Sequence, residues 1–253
     1  MSRCARILSG LVLVSAGLVF AAWMVAPEKN VRAVGEAIDS LIGTSAAQAE
    51  ANTPKFSPVK ALKEHEAYYP GAEDIAPDEM RITACGTGMP SARPKQAAAC
   101  FLVELGNGDK FIFDIGSGSA ERLSALAIPY DYLDKVFIGH LHSDHFGDLG
   151  DLWVGGVISN RQVPLRVWGP SGSKKEWGTA YALEHMEKML AWDAASRLGN
   201  VNTKGQQLEV TEFDYKGVNQ VIYDENGVVI RSIPAIHALD GPVSFILDWN
   251  GLK

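Results

Sequence analysis

Three of the chain's six histidines fall within six positions, His140-Leu141-His142-Ser143-Asp144-His145, with an aspartate among them. Imidazole and carboxylate donors together suit zinc and neighbouring first-row ions such as manganese or iron. Residues 135–139 read as a strand that delivers the cluster. An extended continuation points the side chains of His140 and His142 the same way. A turn after His142 then lets Asp144 and His145 face a second position beside the first. Apolar residues flank the cluster on both sides, Val136-Phe137-Ile138 before it and Leu149 and Leu152 after it. Ionisable groups gathered at such a strand end need metal or charged partners to be stable.

The elements that must position this cluster begin near Met80. Residues 80–85 (MRITAC) look like a strand that ends in a tight-loop composition, Gly86-Thr87-Gly88-Met89-Pro90. Residues 101–105 and 111–115 are strand-like and joined through Asn107-Gly108, a hairpin signal because both residues tolerate the positive φ of a type I′ turn. A short helix is expected over 120–127, with Leu123 and Leu126 on one face and Pro129 beyond its end. Residues 165–168 form another strand, and 174–198 read as one or two helices with Leu183, Met186 and Leu190 at helical spacing. Late strands are expected at 208–213, 220–223, 228–233 and 243–249, with a hairpin at Asn226-Gly227. Many strands with interspersed helices imply two sheets with helices packed outside.

The N-terminal third differs in character. Arg3 and Arg6 precede an uncharged apolar run over residues 7–25. Such a run spans about 28 Å as a helix, close to the thickness of a bilayer core. Ala47-Gln48-Ala49 fits the small-x-small pattern of a signal peptidase site, although it lies far beyond the apolar run. Residues 1–26 are therefore expected to be a signal peptide or membrane anchor, and the protein exported, periplasmic or anchored in the inner membrane facing the periplasm. Residues 27–78 read as a linker with one helix over 31–42, and His65 as a solvated helix residue. The globular domain occupies 79–253.

Composition narrows the partners. A hydrophobic fraction of 47% with 21% charged residues is that of a globular chain. A net charge of −7 argues against a nucleic-acid partner, which usually leaves a basic footprint. The three cysteines, Cys4, Cys85 and Cys100, make no disulfide framework. Only Cys85 and Cys100 are candidates to pair, and the favoured reading is two small buried thiols. Trp153, Trp168, Trp177 and Trp192 read mainly as core residues and His185 as surface. Asp148 and Asp151 read as start-of-helix carboxylates.

With these segments in view, His-x-His-x-Asp-His after a strand resembles the signature of the metallo-β-lactamase superfamily. Further segments resemble its ribonuclease Z and arylsulfatase-like branch: Gly86-Thr87-Gly88-Met89-Pro90, Phe113-Asp114-Ile115-Gly116, PLRVWGPSG from Pro164 to Gly172, and His237 ahead of Val243-Ser244-Phe245-Ile246-Leu247. The likeness covers roughly residues 80–253 and extends to exported hydrolases of the guanitoxin-biosynthesis type. It implies an α+β fold, the four-layer αββα sandwich, with zinc as cofactor, two ions in the complete protein. His140, His142 and His237 would hold the first metal, and Asp144 and His145 the second. Asp114 would hydrogen-bond to the ligand loop.

The family usually supplies a bridging aspartate and a further histidine beyond the strand at 243–249. The chain ends at Lys253, so the domain is expected to be incomplete at its C-terminus. The implied reaction is hydrolysis by a metal-bridging hydroxide, with Asp144 orienting the water and accepting its proton. The expected substrate is a small ester: a sulfate, phosphate or carboxylic ester, or a lactone. The alternatives are a ribonuclease Z-like enzyme that processes tRNA 3′ ends, and a truncated, inactive metal-binding remnant.

Overall fold

The computed structural model describes residues 75–197 and 199–253. The apolar run at 7–25, the small-residue site at 47–49, the helix expected at 31–42 and His65 lie outside the described residues. Among the described residues no helix is long and apolar enough to cross a membrane.

A six-stranded sheet holds β1 (Met80–Gly86), β2 (Cys100–Leu105), β3 (Lys110–Phe113), β4 (Lys135–Phe137), β5 (Leu165–Pro170) and β6 (Leu208–Phe213), in that order. The first three run antiparallel and β3 to β6 pair in parallel. A second, antiparallel sheet consists of β7 (Gln220–Glu225), β8 (Val228–Pro234) and β9 (Val243–Trp249). The helices are α1 (Ser119–Ser124), α2 (Ser143–Phe146), α3 (Leu149–Ile158), α4 (Thr179–Met189) and α5 (Ala191–Ser196).

The sequence of the large sheet explains why it is covered on both faces. Its strands alternate between two apolar clusters, as a period of two requires. Ile112, Val136, Ile138 and Val167 point to one side, where they pack with Leu149, Leu152, Trp153, Leu183 and Met186 from the helices. Phe111, Phe137 and Trp168 point to the other side and meet Tyr223, Ile230, Val243 and Trp249 of the second sheet. The contacts between sheets are largely aromatic. Phe137 stacks on Trp168 at 4.8 Å between ring centres, and Tyr223 sits edge-on to Phe111 at 5.4 Å. The described residues thus supply a helical layer and two facing sheets, three of the four layers expected from the sequence.

Several local expectations change. Gly108 has φ of 98°, but Asn107 does not share the left-handed region, so this hairpin is not type I′. Instead Asn107 Oδ1 accepts from the Asp109 amide at 2.9 Å, and the Gly108 amide donates to Leu105. Asn226 and Gly227 both take positive φ, as a two-residue type I′ turn requires, and join β7 to β8. Asn250 and Gly251 do the same after β9. The helix expected over 120–127 is Ser119–Ser124, and residues 174–198 contain a 3-10 turn (Lys175–Trp177) and two helices. Trp153 and Trp168 are core residues, whereas Trp177 and Trp192 are exposed.

The reading of Cys85 and Cys100 as free thiols is also corrected: they form a disulfide between β1 and β2. Spacing in sequence carried no information on distance, but pairing does. Gly86 lies opposite Cys100 in the antiparallel ladder, and an irregularity between Ala84 and Gly86 brings Cys85 beside it.

Candidate metal centre

β4 ends at Phe137, and the chain leaves the sheet edge through Gly139. His142 remains extended (φ −72°, ψ 147°) and caps α2, so the helical turn carrying Asp144 and His145 follows at once. The His145 amide donates to the His142 carbonyl at 2.9 Å. An extended pair followed by a turn thus points four side chains toward one region.

His237 arrives from the second sheet, on the loop between β8 and β9. The Ala235 amide closes that loop on Pro242, and the Val243 amide donates to the Gly139 carbonyl at 3.0 Å. This last bond ties the loop's end to the residue preceding His140. His140 Nε2 lies 3.1 Å from His142 Nδ1, and His237 Nε2 lies 3.1 Å from the same atom. Ligand atoms of the three residues all fall within 4.8 Å of one another.

Hydrogen bonding is a poor account of this triangle. A neutral ring nitrogen offers either one N–H or one lone pair, and His142 Nδ1 would have to serve two partners. Zinc–nitrogen bonds of about 2.0–2.1 Å at tetrahedral angles place donors roughly 3.3 Å apart, close to the two separations of 3.1 Å that His142 makes. The donor set therefore fits a metal ion. Burial, with the adjacent His145, His142 and His237 rings, lowers the His140 pKa to about 4 and leaves its lone pair free at neutral pH.

The second group is built differently. Asp114 takes φ of 60° at the end of β3 and spreads its two carboxylate oxygens between two partners. Oδ1 accepts from the Gly139 amide at 2.7 Å, and Oδ2 meets His145 Nδ1 at 2.6 Å. The Ile115 amide also donates to the His145 carbonyl at 2.7 Å. Occupying Nδ1 leaves Nε2 as the free nitrogen of His145, the orientation a ligand histidine needs. Burial would lower the His145 pKa, but the Asp114 hydrogen bond and charge, then the Asp144 charge, raise it above the ordinary value. Asp144 is buried, with Oδ2 3.7 Å from His145 Nε2 and Oδ1 without a partner. A buried carboxylate oxygen without a partner, beside an imidazole nitrogen, is a donor pair that suits a cation.

The structure thus gathers His140, His142 and His237 into one cluster, sets Asp144 and His145 beside it, and puts Asp114 behind both. Other contributors were given no site role from the sequence. Gly116 packs so closely that a Cβ there would stand 2.0 Å from the Asp144 carbonyl oxygen. Glu176, Leu239 and Asp240, with Trp177, line an open cleft of about 230 Å3 over the histidines. Asp148 Oδ2 accepts from the Ala120 amide at 3.0 Å, tying α3 to α1, and His185 is exposed on α4.

Fold and site together define a metallo-β-lactamase-fold protein, and the chain is similar in sequence to ribonuclease Z proteins. The family model described as Anti-Pycsar protein Apyc1 matches residues 80–168. Ribonuclease Z of Mycobacterium marinum is 30% identical over 176 residues, covering 68% of this chain and 60% of that protein. Ribonuclease Z of Mycobacterium sp. (strain KMS) is 33% identical over 164 residues, covering 62% and 53% respectively. Human tRNase Z, short form, superposes with a TM-score of 0.51 at 18% identity, over 67% of this chain and 65% of that one. The chain spans about 60% or less of the length of these curated relatives.

Proposed function

We propose that the protein is a metal-dependent hydrolase of ester substrates, with a phosphoric ester as the preferred class. The observation that carries this reading is the convergence of His140, His142 and His237 ring nitrogens beside an unpaired, buried Asp144 oxygen. The three histidines would hold one ion, Asp144 and His145 would hold or adjoin a second, and zinc suits the donors, with manganese or iron as alternatives. A bound ion of this kind lowers the pKa of its water from 15.7 toward about 7, supplying a nucleophile at neutral pH. Asp144 would orient that water and accept its proton. Asp114 holds His145 in one tautomer and fixes Gly139, so the ligand loop need not reorganise during turnover. The relatives' name, Ribonuclease Z, favours phosphoric over carboxylic esters. The test is hydrolysis of bis(p-nitrophenyl) phosphate by the zinc-loaded chain. Turnover abolished by chelation and absent in His142→Ala is expected; chelator-insensitive turnover would overturn the reading.

A second reading, 3′ processing of tRNA precursors, is favoured by that same name. The net charge of −7 opposes it, because a polyanion is held mainly by neutralising its phosphates. Faster cleavage of a tRNA precursor than of the small diester would establish it.

Export is proposed as well. The apolar run at 7–25 after Arg3 and Arg6 supports it. So does the Cys85–Cys100 disulfide, a bond that persists in oxidising compartments. Fractionation of the native protein tests this, with recovery outside the cytosol expected.

A further inference from the structure

Two grooves meet at the histidine cluster. The first, about 230 Å3, runs from His140, His142 and His237 to Trp177. The second, about 510 Å3, continues past Trp177 to Tyr215 and Lys216. Trp177 and Leu239 line both.

These two residues leave apolar surface exposed beside the histidines. Trp177 is 38% exposed and Leu239 62%. Trp177 nevertheless stands on a fixed base. Its amide donates to the Lys174 carbonyl at 3.0 Å, the Lys174 ammonium sits 4.4 Å from its ring centre, and its Cβ packs tightly on Gly172. An anchored aromatic ring beside a reactive centre offers contact area at little entropic cost. Leu239 shares the β8–β9 loop with His237, two residues along the chain. Charge narrows the occupant further. The combined lining carries two carboxylates, Glu176 and Asp240, and the Lys216 ammonium, with the Lys174 ammonium over the Trp177 ring beside it. With carboxylates and ammonium groups balanced, the lining offers no basic track for a chain of phosphates and suits a substrate of low charge.

We propose that Trp177 and Leu239 form the recognition wall for the non-reacting arm of the substrate, and that this arm is flat or branched and apolar on an ester bearing at most one negative charge. The proposal rests on the ester-hydrolase reading and names its substrate class. Trp177 is a specificity-determining residue in this account, not a catalytic one.

Two diesters with the same leaving group and charge separate the wall from the chemistry: bis(p-nitrophenyl) phosphate, with an aromatic arm, and methyl p-nitrophenyl phosphate, with a small one. Trp177→Ala should lower kcat/KM about fivefold to tenfold for the first and less than about twofold for the second, with Trp177→Phe restoring most of the loss. An equal loss on both, or none on either, overturns the proposal. Calorimetry on the metal-free chain gives a readout independent of turnover: Trp177→Ala should weaken binding of bis(p-nitrophenyl) phosphate and Trp177→Phe should retain it. If the zinc-loaded wild type hydrolyses neither diester, the ester-hydrolase reading fails. Calorimetry then still decides the wall, and binding unchanged in Trp177→Ala sinks it.

Discussion

His145 and His237 are offered to the same site by regions of opposite character. His145 sits on the large sheet's edge, where Asp114 grips its ring and the Ile115 amide grips its carbonyl. His237 is exposed on the β8–β9 loop, which the Ala235 amide closes on the Pro242 carbonyl. One candidate ligand is held by two neighbours on its own sheet; the other meets the histidine rings it joins. The contrast suggests that the first sheet sets the position of the centre, while the β8–β9 loop completes it and carries the selectivity.

The largest test of that contrast concerns what braces the first sheet. The Cys85–Cys100 disulfide closes a 15-residue separation between β1 and β2. Replacing both cysteines by alanine should cost about 3 kcal/mol, read as a lower denaturant midpoint. A loss confined to metal affinity would show instead that the staple serves the site alone.

Next come the two ligand regions themselves. Asp114→Ala leaves the Gly139 amide and the His145 ring without their partner. It should cost about 1–3 kcal/mol and weaken metal binding about 10–100-fold. His237→Ala should weaken metal binding too, yet change stability by less than about 0.5 kcal/mol, because the side chain is exposed. Comparable stability losses in both variants would erase the distinction between the two regions.

The smallest effect is in pH. His140 is held at about 4 from an ordinary 6.5, so the unfolded chain binds more protons across that interval and metal-free stability should rise with pH there. His145 is shifted upward, so its contribution is complete below about 6.5 and lost as pH climbs through its folded value. Thermal melts of the metal-free chain should therefore climb from about pH 4 to about 6.5 and then decline. His140→Ala should flatten the climb and Asp114→Asn the decline.

Legibility in the sequence followed the same division. His140, His142, Asp144 and His145 were readable because six consecutive residues leaving an apolar strand fix their own relative placement. The two-sheet layout was readable because Val136-Phe137-Ile138 alternates between faces, although periodicity did not say that the aromatic members meet the second sheet. His237 lies 95 residues from His142, and only resemblance connected them. Asp114 was likewise placed by resemblance, and its positive φ and divided carboxylate became visible only in three dimensions. The disulfide was misread because ladder register, not spacing, brings Cys85 to Cys100. Asn107-Gly108 was misassigned because the Asn107 side chain competed for the backbone and stabilised another turn. Trp177 was indistinguishable from the core residues Trp153 and Trp168 by residue type alone.

The central claim is that three histidines from two sheets hold a metal ion, and metal content tests it most directly. Protein purified without chelator should carry bound zinc, manganese or iron. The His140→Ala, His142→Ala double variant should carry essentially none while keeping its fold by circular dichroism. Unchanged metal content in that variant would contradict the account.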